Sequence, residues 1–288
     1  MSNKKITGAL TLTLLSVLVC APAWALDWDW GEAKVTWNNR LSVGVAVRMQ
    51  DRSNDLIGKL NIPGQQFLCG DGDPNTQGDG ENCLSVFGDP EPNLRLVRAA
   101  GAFSGVNADD GNLNYDKGDV VAATNKLISD FKIEYGNYIF RTRVLGFYDP
   151  QNVDFTETHV DTRFQPATTT RPQSVEGVFA KDVQLYEANV SYAFEDAFGF
   201  SGAFSIGNQI VRWGESTLVA LNSLAEINPP NAAILRMPGF EINELFQPVA
   251  LALLSMDLFE GVSNEIVYQF GWKKVQPDPR GSFFSDLD

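Results

Sequence analysis

Between positions 35 and 49 the odd residues Val35, Trp37, Leu41, Val43, Val45, Val47 and Met49 are apolar, and Asn39 alone breaks the set. The even residues Lys34, Thr36, Asn38, Arg40, Ser42, Gly44, Ala46, Arg48 and Gln50 are polar or small. Side chains on a strand alternate between its faces, so this stretch predicts one strand with an apolar face and a polar face. A soluble strand usually ends after about five or six residues, whereas a tilted strand needs about ten to cross a bilayer. The length and the two-sidedness together point to a membrane-spanning strand.

The pattern returns in three pairs. Leu127, Phe131, Ile133 and Tyr135 oppose Lys126, Asp130, Lys132 and Glu134, with Ser129 and Ile128 out of place. Gly136-Asn137 then supplies a tight reversal, since glycine accepts a positive φ without strain. The return strand sets Tyr138, Phe140, Val144 and Tyr148 against Arg141 and Arg143. In the second pair Tyr186, Ala188, Val190, Tyr192 and Phe194 oppose Glu187, Asn189 and Ser191. After a short connection over 195–199, Phe204, Ile206 and Ile210 oppose Ser201, Ser205 and Gln209. The third pair spans about 248–259 and returns with Ile266, Tyr268, Phe270 and Trp272 against Glu265, Gln269 and Lys273, although Val249, Leu251 and Leu253 interrupt its polar face.

Short turns alternate with long stretches, the arrangement of bacterial outer-membrane barrels, whose short turns are periplasmic. Counted from a periplasmic amino terminus, the first strand rises into a loop over 51–123, and about seven strands result. An odd number leaves an edge unpaired, while a closed single-chain barrel has an even number. The fold class read from the chain is therefore all-β, an antiparallel transmembrane β-barrel present in part, with long extracellular loops.

The first residues set the compartment. Lys4 and Lys5 precede an uncharged run over 6–22 and the small-x-small signature Ala23-Trp24-Ala25, which reads as a signal peptide over 1–25 and a mature part over 26–288. The run is short for a membrane helix and carries Thr7, Thr11, Thr13 and Ser16. Val19 stands where a lipidated Cys20 would need a small residue. Loss of the leader's two lysines takes the formal net charge from -14 to -16. With no basic stripe, nucleic acid is excluded as a partner. Export places Cys69 and Cys83 in an oxidising compartment and predicts a disulfide, whose roughly 15-residue loop contributes about 3 kcal/mol in the chain-entropy model. Beyond the leader no uncharged run is long enough for a membrane helix, so the bilayer partner would be met by strands and the expected location is the outer membrane.

Two stretches carry a family resemblance. Positions 107–119 read Asn-Ala-Asp-Asp-Gly-Asn-Leu-Asn-Tyr-Asp-Lys-Gly-Asp, and positions 207–216 read Gly-Asn-Gln-Ile-Val-Arg-Trp-Gly-Glu-Ser. With the Trp28-Asp29-Trp30-Gly31 opening and the Asn228-Pro229 and Pro238-Gly239 pairs, the chain resembles the proteobacterial outer-membrane family called domain of unknown function 1302. That resemblance implies a porin-like barrel about twice this length. It also implies a periplasmic handover protein and a hydrophobe-exporting inner-membrane pump as partners. It carries over no catalytic residues.

Several groups of side chains are candidate sites. Arg40, Arg48, Lys132, Arg141, Arg143, Asp130, Glu134 and Glu187 fall on the polar faces and are expected to line a lumen, either pairing with one another or steering anions. Asp71, Asp73, Asn75 and Asp79, between the two cysteines, space oxygens like the start of a calcium loop. Thr76 replaces the turn glycine, however, and the terminal acid is missing, so a solvated acidic loop is the plainer reading. Asp109, Asp110, Asp116 and Asp119 suggest cation binding too, with a hydrogen-bonded turn as the plainer account. Arg212, Trp213 and Glu215 end a strand and either fix the start of a loop or shape a constriction.

After Ser216, a possible N-cap, the loop carries Leu218, Val219, Leu221 and Leu224 at helical spacing. So greasy a segment is expected to fold inward as an apolar constriction. The only histidine, His159, lies in a polar loop without evident catalytic partners, and the chain is not read as an enzyme. The expected function is a channel or transporter for an apolar or lipid-like small molecule, with no cofactor except a possible calcium ion. The competing class is a secreted or surface β-sheet binding or adhesin-like protein.

Overall fold

The computed structural model describes residues 25–59, 62–65, 68, 97–102, 110–157, 169–170, 173–197, 199–211, 213, 227–279 and 281–285. Its strands are β1 (Ala25–Trp30), β2 (Ala33–Val43), β3 (Ala46–Val47), β4 (Val120–Ala122), β5 (Asn125–Tyr135), β6 (Tyr138–Tyr148), β7 (Thr156–Glu157), β8 (Thr169–Thr170), β9 (Lys181–Ala197), β10 (Phe200–Gln209), β11 (Val249–Phe259) and β12 (Val262–Gln269). Eight of them form one antiparallel sheet in the order β1-β2-β5-β6-β9-β10-β11-β12, and β3-β4 and β7-β8 form two small ribbons. The sheet is open, with β1 and β12 at its edges. Among the described residues no helix is long and apolar enough to cross a membrane. Among the described residues two helices have both ends given, and both are short: α1 (Gln173–Phe179) and α2 (Ile242–Leu245).

The main sheet has eight strands where the sequence predicted about seven. The additional one, β1, pairs Leu26 with Trp37, Trp28 with Val35 and Trp30 with Ala33. Its alternation of Leu26, Trp28 and Trp30 with Asp27 and Asp29 occupies only six residues, too few to stand out. Because β1 starts opposite Asn38 and runs down to the Gly31-Glu32 turn, the expected first rising strand is the second strand of a hairpin.

The expected strand over 35–49 is also interrupted. β2 ends at Val43, and the chain bends at Gly44, where a Cβ would lie 2.7 Å from Pro238 Cβ. Pairing resumes in β3, opposite β4.

In-register pairing carries the alternation across the sheet. Val35, Trp37, Leu41 and Val43 stand beside Ile133, Phe131, Leu127 and Asn125 of β5. Ile133 stands beside Phe140, Phe140 beside Val190, Val190 beside Ile206, Ile206 beside Ala252 and Ala252 beside Tyr268. One face is thus apolar from β1 to β12, and Leu41, Val43, Leu127, Leu185, Val190, Ile206 and Ile266 on it are exposed. Val35, between Trp28 and Ile133, is the exception and is buried.

All four short turns lie at one end of the sheet. Trp30, Tyr135, Tyr138 and Tyr192 mark that end, and the Tyr138 and Tyr192 rings are 4.7 Å apart. Tyr148, Tyr268 and Phe270 mark the other end, likewise exposed. The 11 residues of β6 separate the two aromatic rows by roughly 33 Å along the strand.

The opposite face is polar, and part of it is covered by the long connection between β10 and β11. Ile234, in a single 3-10 turn over Ala232–Arg236, packs with Ile128, Leu145 and Tyr186 in one buried cluster. Val211, Val249 and Leu251 form another, with Trp213, Ile227, Leu253 and Val267 against them. The apolar residues that interrupt the polar face of β5 and β11 are therefore the ones this connection covers.

A bulge in β9 corrects the expected place of Tyr186. Arg143 pairs with Glu187 and Val144 with Leu185, which leaves Tyr186 as the extra residue. A bulge shifts the alternation by one residue. Tyr186 accordingly turns from the apolar to the polar side, where its hydroxyl donates to Glu244 O at 2.5 Å and Phe246 O at 2.8 Å.

Candidate functional site

The polar face of β2, β5, β6 and β9 holds seven of the eight charged residues expected to line a lumen. They stand in rows across the strands, set by the register. One row reads Asn38, Asp130, Arg143 and Glu187. In it Arg143 Nε donates to Asp130 Oδ1 at 2.5 Å and its Nη1 to Glu187 Oε1 at 3.2 Å, so both acids are spent on one guanidinium. The next row toward the turn end reads Thr36, Lys132, Arg141 and Asn189. Lys132 Nζ bonds Glu134 Oε1 at 2.8 Å, along its own strand. Thr36, Asn38, Asp130, Lys132, Arg141 and Arg143 line an open cleft of ≈ 370 Å³.

Toward the other end, the acids of the β10–β11 connection reach the wall. Arg40 pairs with Glu241 and, at 2.6 Å, with Glu244. Lys126 Nζ bonds Glu244 Oε2 at 2.6 Å and donates to Gly239 O at 2.9 Å. The side chains of Lys126 and Glu244 are 0% and 2% exposed, so each neutralises a charge that could not otherwise be buried. Sequence reasoning placed Lys126 on the polar face without a partner and missed Glu241 and Glu244. The partners lie more than a hundred residues apart, and the connection carries no periodic signal.

Arg48 departs from the expectation. It lies beyond β3, is buried, donates to Gln50 O at 2.8 Å and Tyr115 O at 3.3 Å, and stands over the Phe283 ring. It belongs to the packed loops at the long-connection end and not to the sheet wall. Tyr115, in the same cluster, stacks on Phe155 at 5.4 Å and donates to Asn152 Oδ1 at 3.0 Å.

The two marked sequence stretches have structural work in this region. Asp119 Oδ2 accepts from Asp116 N at 2.7 Å and Asp116 pairs with Arg52 at 2.8 Å, a hydrogen-bonded turn. Lys117 bonds Asp51 at 2.9 Å, which lowers the Asp51 carboxyl below its ordinary value. Gly207 has φ +139, and a Cβ there would lie 2.2 Å from Ala188 O. Asn228 accepts from Val211 N at 2.8 Å and donates to Gln209 O at 3.2 Å and Gln247 O at 2.9 Å, tying the end of β10 to the approach of β11. Trp213 Nε1 donates to Glu265 of β12, linking the start of the connection to the sheet.

Arg212, Glu215, Leu218, Leu221 and Leu224, the cysteines Cys69 and Cys83, the calcium candidates Asp71, Asp73, Asn75 and Asp79, and His159 lie outside the described residues. Among the described residues no group of three or more potential ligands is placed to hold a metal ion.

No curated protein and no solved structure matches the chain. A family model does: the one described as "Protein of unknown function (DUF1302)" matches residues 6–288, nearly the whole sequence, and the chain belongs to that family.

Proposed function

We propose that this chain supplies part of an outer-membrane barrel that acts as a porin-like channel or transporter for an apolar or lipid-like small molecule. The observation that carries the reading is the exposed apolar face, continuous over eight strands and bounded by aromatic rows at both ends. In water such a face is a liability, since contiguous exposed apolar patches on soluble monomers seldom exceed a few hundred Å². Against lipid it is the stable arrangement, and the roughly 33 Å between aromatic rows, tilted by about 40°, matches an apolar band about 25 Å tall. In this reading the charged face and its cleft look into a lumen, and the β10–β11 connection folds inward to narrow it. Closure of the sheet joins the β1 and β12 edges through further strands. The short turns are periplasmic, where a handover protein would meet them.

The experiment is mobility on a denaturing gel with the full-length protein refolded into vesicles. Slower or faster migration of the unboiled sample, together with solute release from loaded vesicles, is the expected result. Identical migration boiled and unboiled, with no release, would favour a surface β-sheet binding protein.

A further inference from the structure

We infer that the row Thr36, Lys132, Arg141 and Asn189 is a binding site for an oxyanion, a carboxylate or phosphate, carried at the polar end of an amphiphile. Its passage across the membrane rests on the transport reading above, whereas the site itself rests on four observations.

The first is register. Thr36 pairs with Lys132, Lys132 with Arg141 and Arg141 with Asn189, so four adjacent strands present four hydrogen-bond donors side by side. Neighbouring strands lie about 4.8 Å apart. A guanidinium and an ammonium at that spacing can share one oxyanion, the guanidinium bidentately.

The second is the state of each cation. Arg143, one row away, is held by Asp130 and Glu187. Arg141 forms no ion pair or side-chain hydrogen bond with a described residue, and it is exposed to the cleft. Lys132 is only a third exposed, but its partner Glu134 is its neighbour along the strand, and such partly solvated pairs exchange at small cost.

The third is local charge. In these rows β5 and β6 carry the cations Lys132, Arg141 and Arg143 against the acids Asp130 and Glu134, a surplus of one cation on two adjacent strands. Asp27 and Asp29 of β1 stand farther out, beside Thr36 and Lys34 at the edge of the sheet.

The fourth is Asn189. It stands directly beside Arg141, and its side-chain amide can donate to an anion held there.

The cleft of ≈ 370 Å³ accommodates a small ligand's end group. Its lining sets Lys132, Arg141 and Arg143 beside Thr36, Asn38 and Phe131.

The test is calorimetric titration of the full chain, folded in non-ionic detergent, with hexanoate, inorganic phosphate and 1-hexanol. Wild type is compared with Arg141→Gln and Arg141→Lys, and far-ultraviolet circular dichroism verifies strand content in each. Hexanoate should bind wild type about tenfold more tightly than Arg141→Gln, the effect of one lost charge-assisted contact. Arg141→Lys should recover part of the loss, and hexanol should not distinguish the three. Phosphate binding as tight as hexanoate would uphold the oxyanion site and overturn the amphiphile. Equal hexanoate affinity in wild type and Arg141→Gln, or none in wild type, would overturn the site. Binding without hexanoate flux into vesicles would uphold the site and count against the transport reading.

Discussion

Lys126 and Glu244 stand 118 residues apart in the chain and meet at 2.6 Å, both side chains almost wholly withdrawn from solvent. The pair joins the sheet wall to the connection folded over it, and Arg40 shares the same carboxylate. Breaking a buried pair from one side leaves an uncompensated charge, which costs about 3–5 kcal/mol. Glu244→Met would leave Lys126 buried with only the Gly239 carbonyl, and should therefore lose about 3 kcal/mol and loosen residues 227–247. Faster hydrogen exchange confined to that connection is the expected reading, and unchanged protection there would mean that the apolar cluster around Ile234 alone holds it.

The apolar face makes a second prediction. Leu185, 59% exposed and opposite Val144 near the middle of the sheet, should face lipid in the assembled protein. Leu185→Arg should then cost about 2–4 kcal/mol in refolding equilibria with vesicles. On a water-facing sheet the same change stays within about 0.5 kcal/mol, and that outcome would remove the membrane reading.

Two glycines offer a matched comparison. At Gly207 both the positive φ and the 2.2 Å approach to Ala188 O forbid a side chain, so Gly207→Ala should destabilise by about 2 kcal/mol or more. At Gly177, within α1, a Cβ would meet open space. Gly177→Ala should add up to about 1 kcal/mol through helix propensity. Denaturation midpoints of the two variants should move in opposite directions.

The Asp51 carboxyl, lowered by the hydrogen bond and the charge of Lys117, sets a pH dependence in the connection between β2 and β5. A carboxyl with a depressed folded value stabilises the fold above its unfolded value near about 3.9. That contribution disappears as the pH falls through the depressed value. Carbon-13 titration should place Asp51 below an ordinary aspartate, and Lys117→Gln should return it to the ordinary range. An unshifted Asp51 in wild type would show that the Lys117 contact does not persist in solution.

The strands that the sequence revealed are those whose two faces differ in chemistry over ten residues or so: β2, β5, β6 and β10. In these, an apolar side and a polar side impose period two with few exceptions. The connection over 227–247 left no such mark, because Ile234, Glu241 and Glu244 find their surroundings only when distant strands have already paired. Val249, Leu251 and Leu253 were visible as exceptions, but their reason was not: the sequence cannot say which stretch of polar wall a loop will cover. Of the candidate site, the charged residues of the wall were legible one by one. Which of them are committed, as Arg143 is, and which are not, as Arg141, follows from register, and register needs the sheet.

The bulge at Tyr186 divides β9 into two reading phases. Below it Val183 and Leu185 take the apolar side with odd numbers; above it Ala188, Val190 and Tyr192 take it with even numbers. Deletion of Tyr186 itself would withdraw the bulge and leave both halves of the strand on their proper sides, at the expense of the Tyr186 anchor. A one-residue deletion elsewhere in β9 would turn the residues between it and the bulge inside out. Tolerance to a one-residue length change should accordingly peak at this one position, which marks where the chain keeps its spare residue.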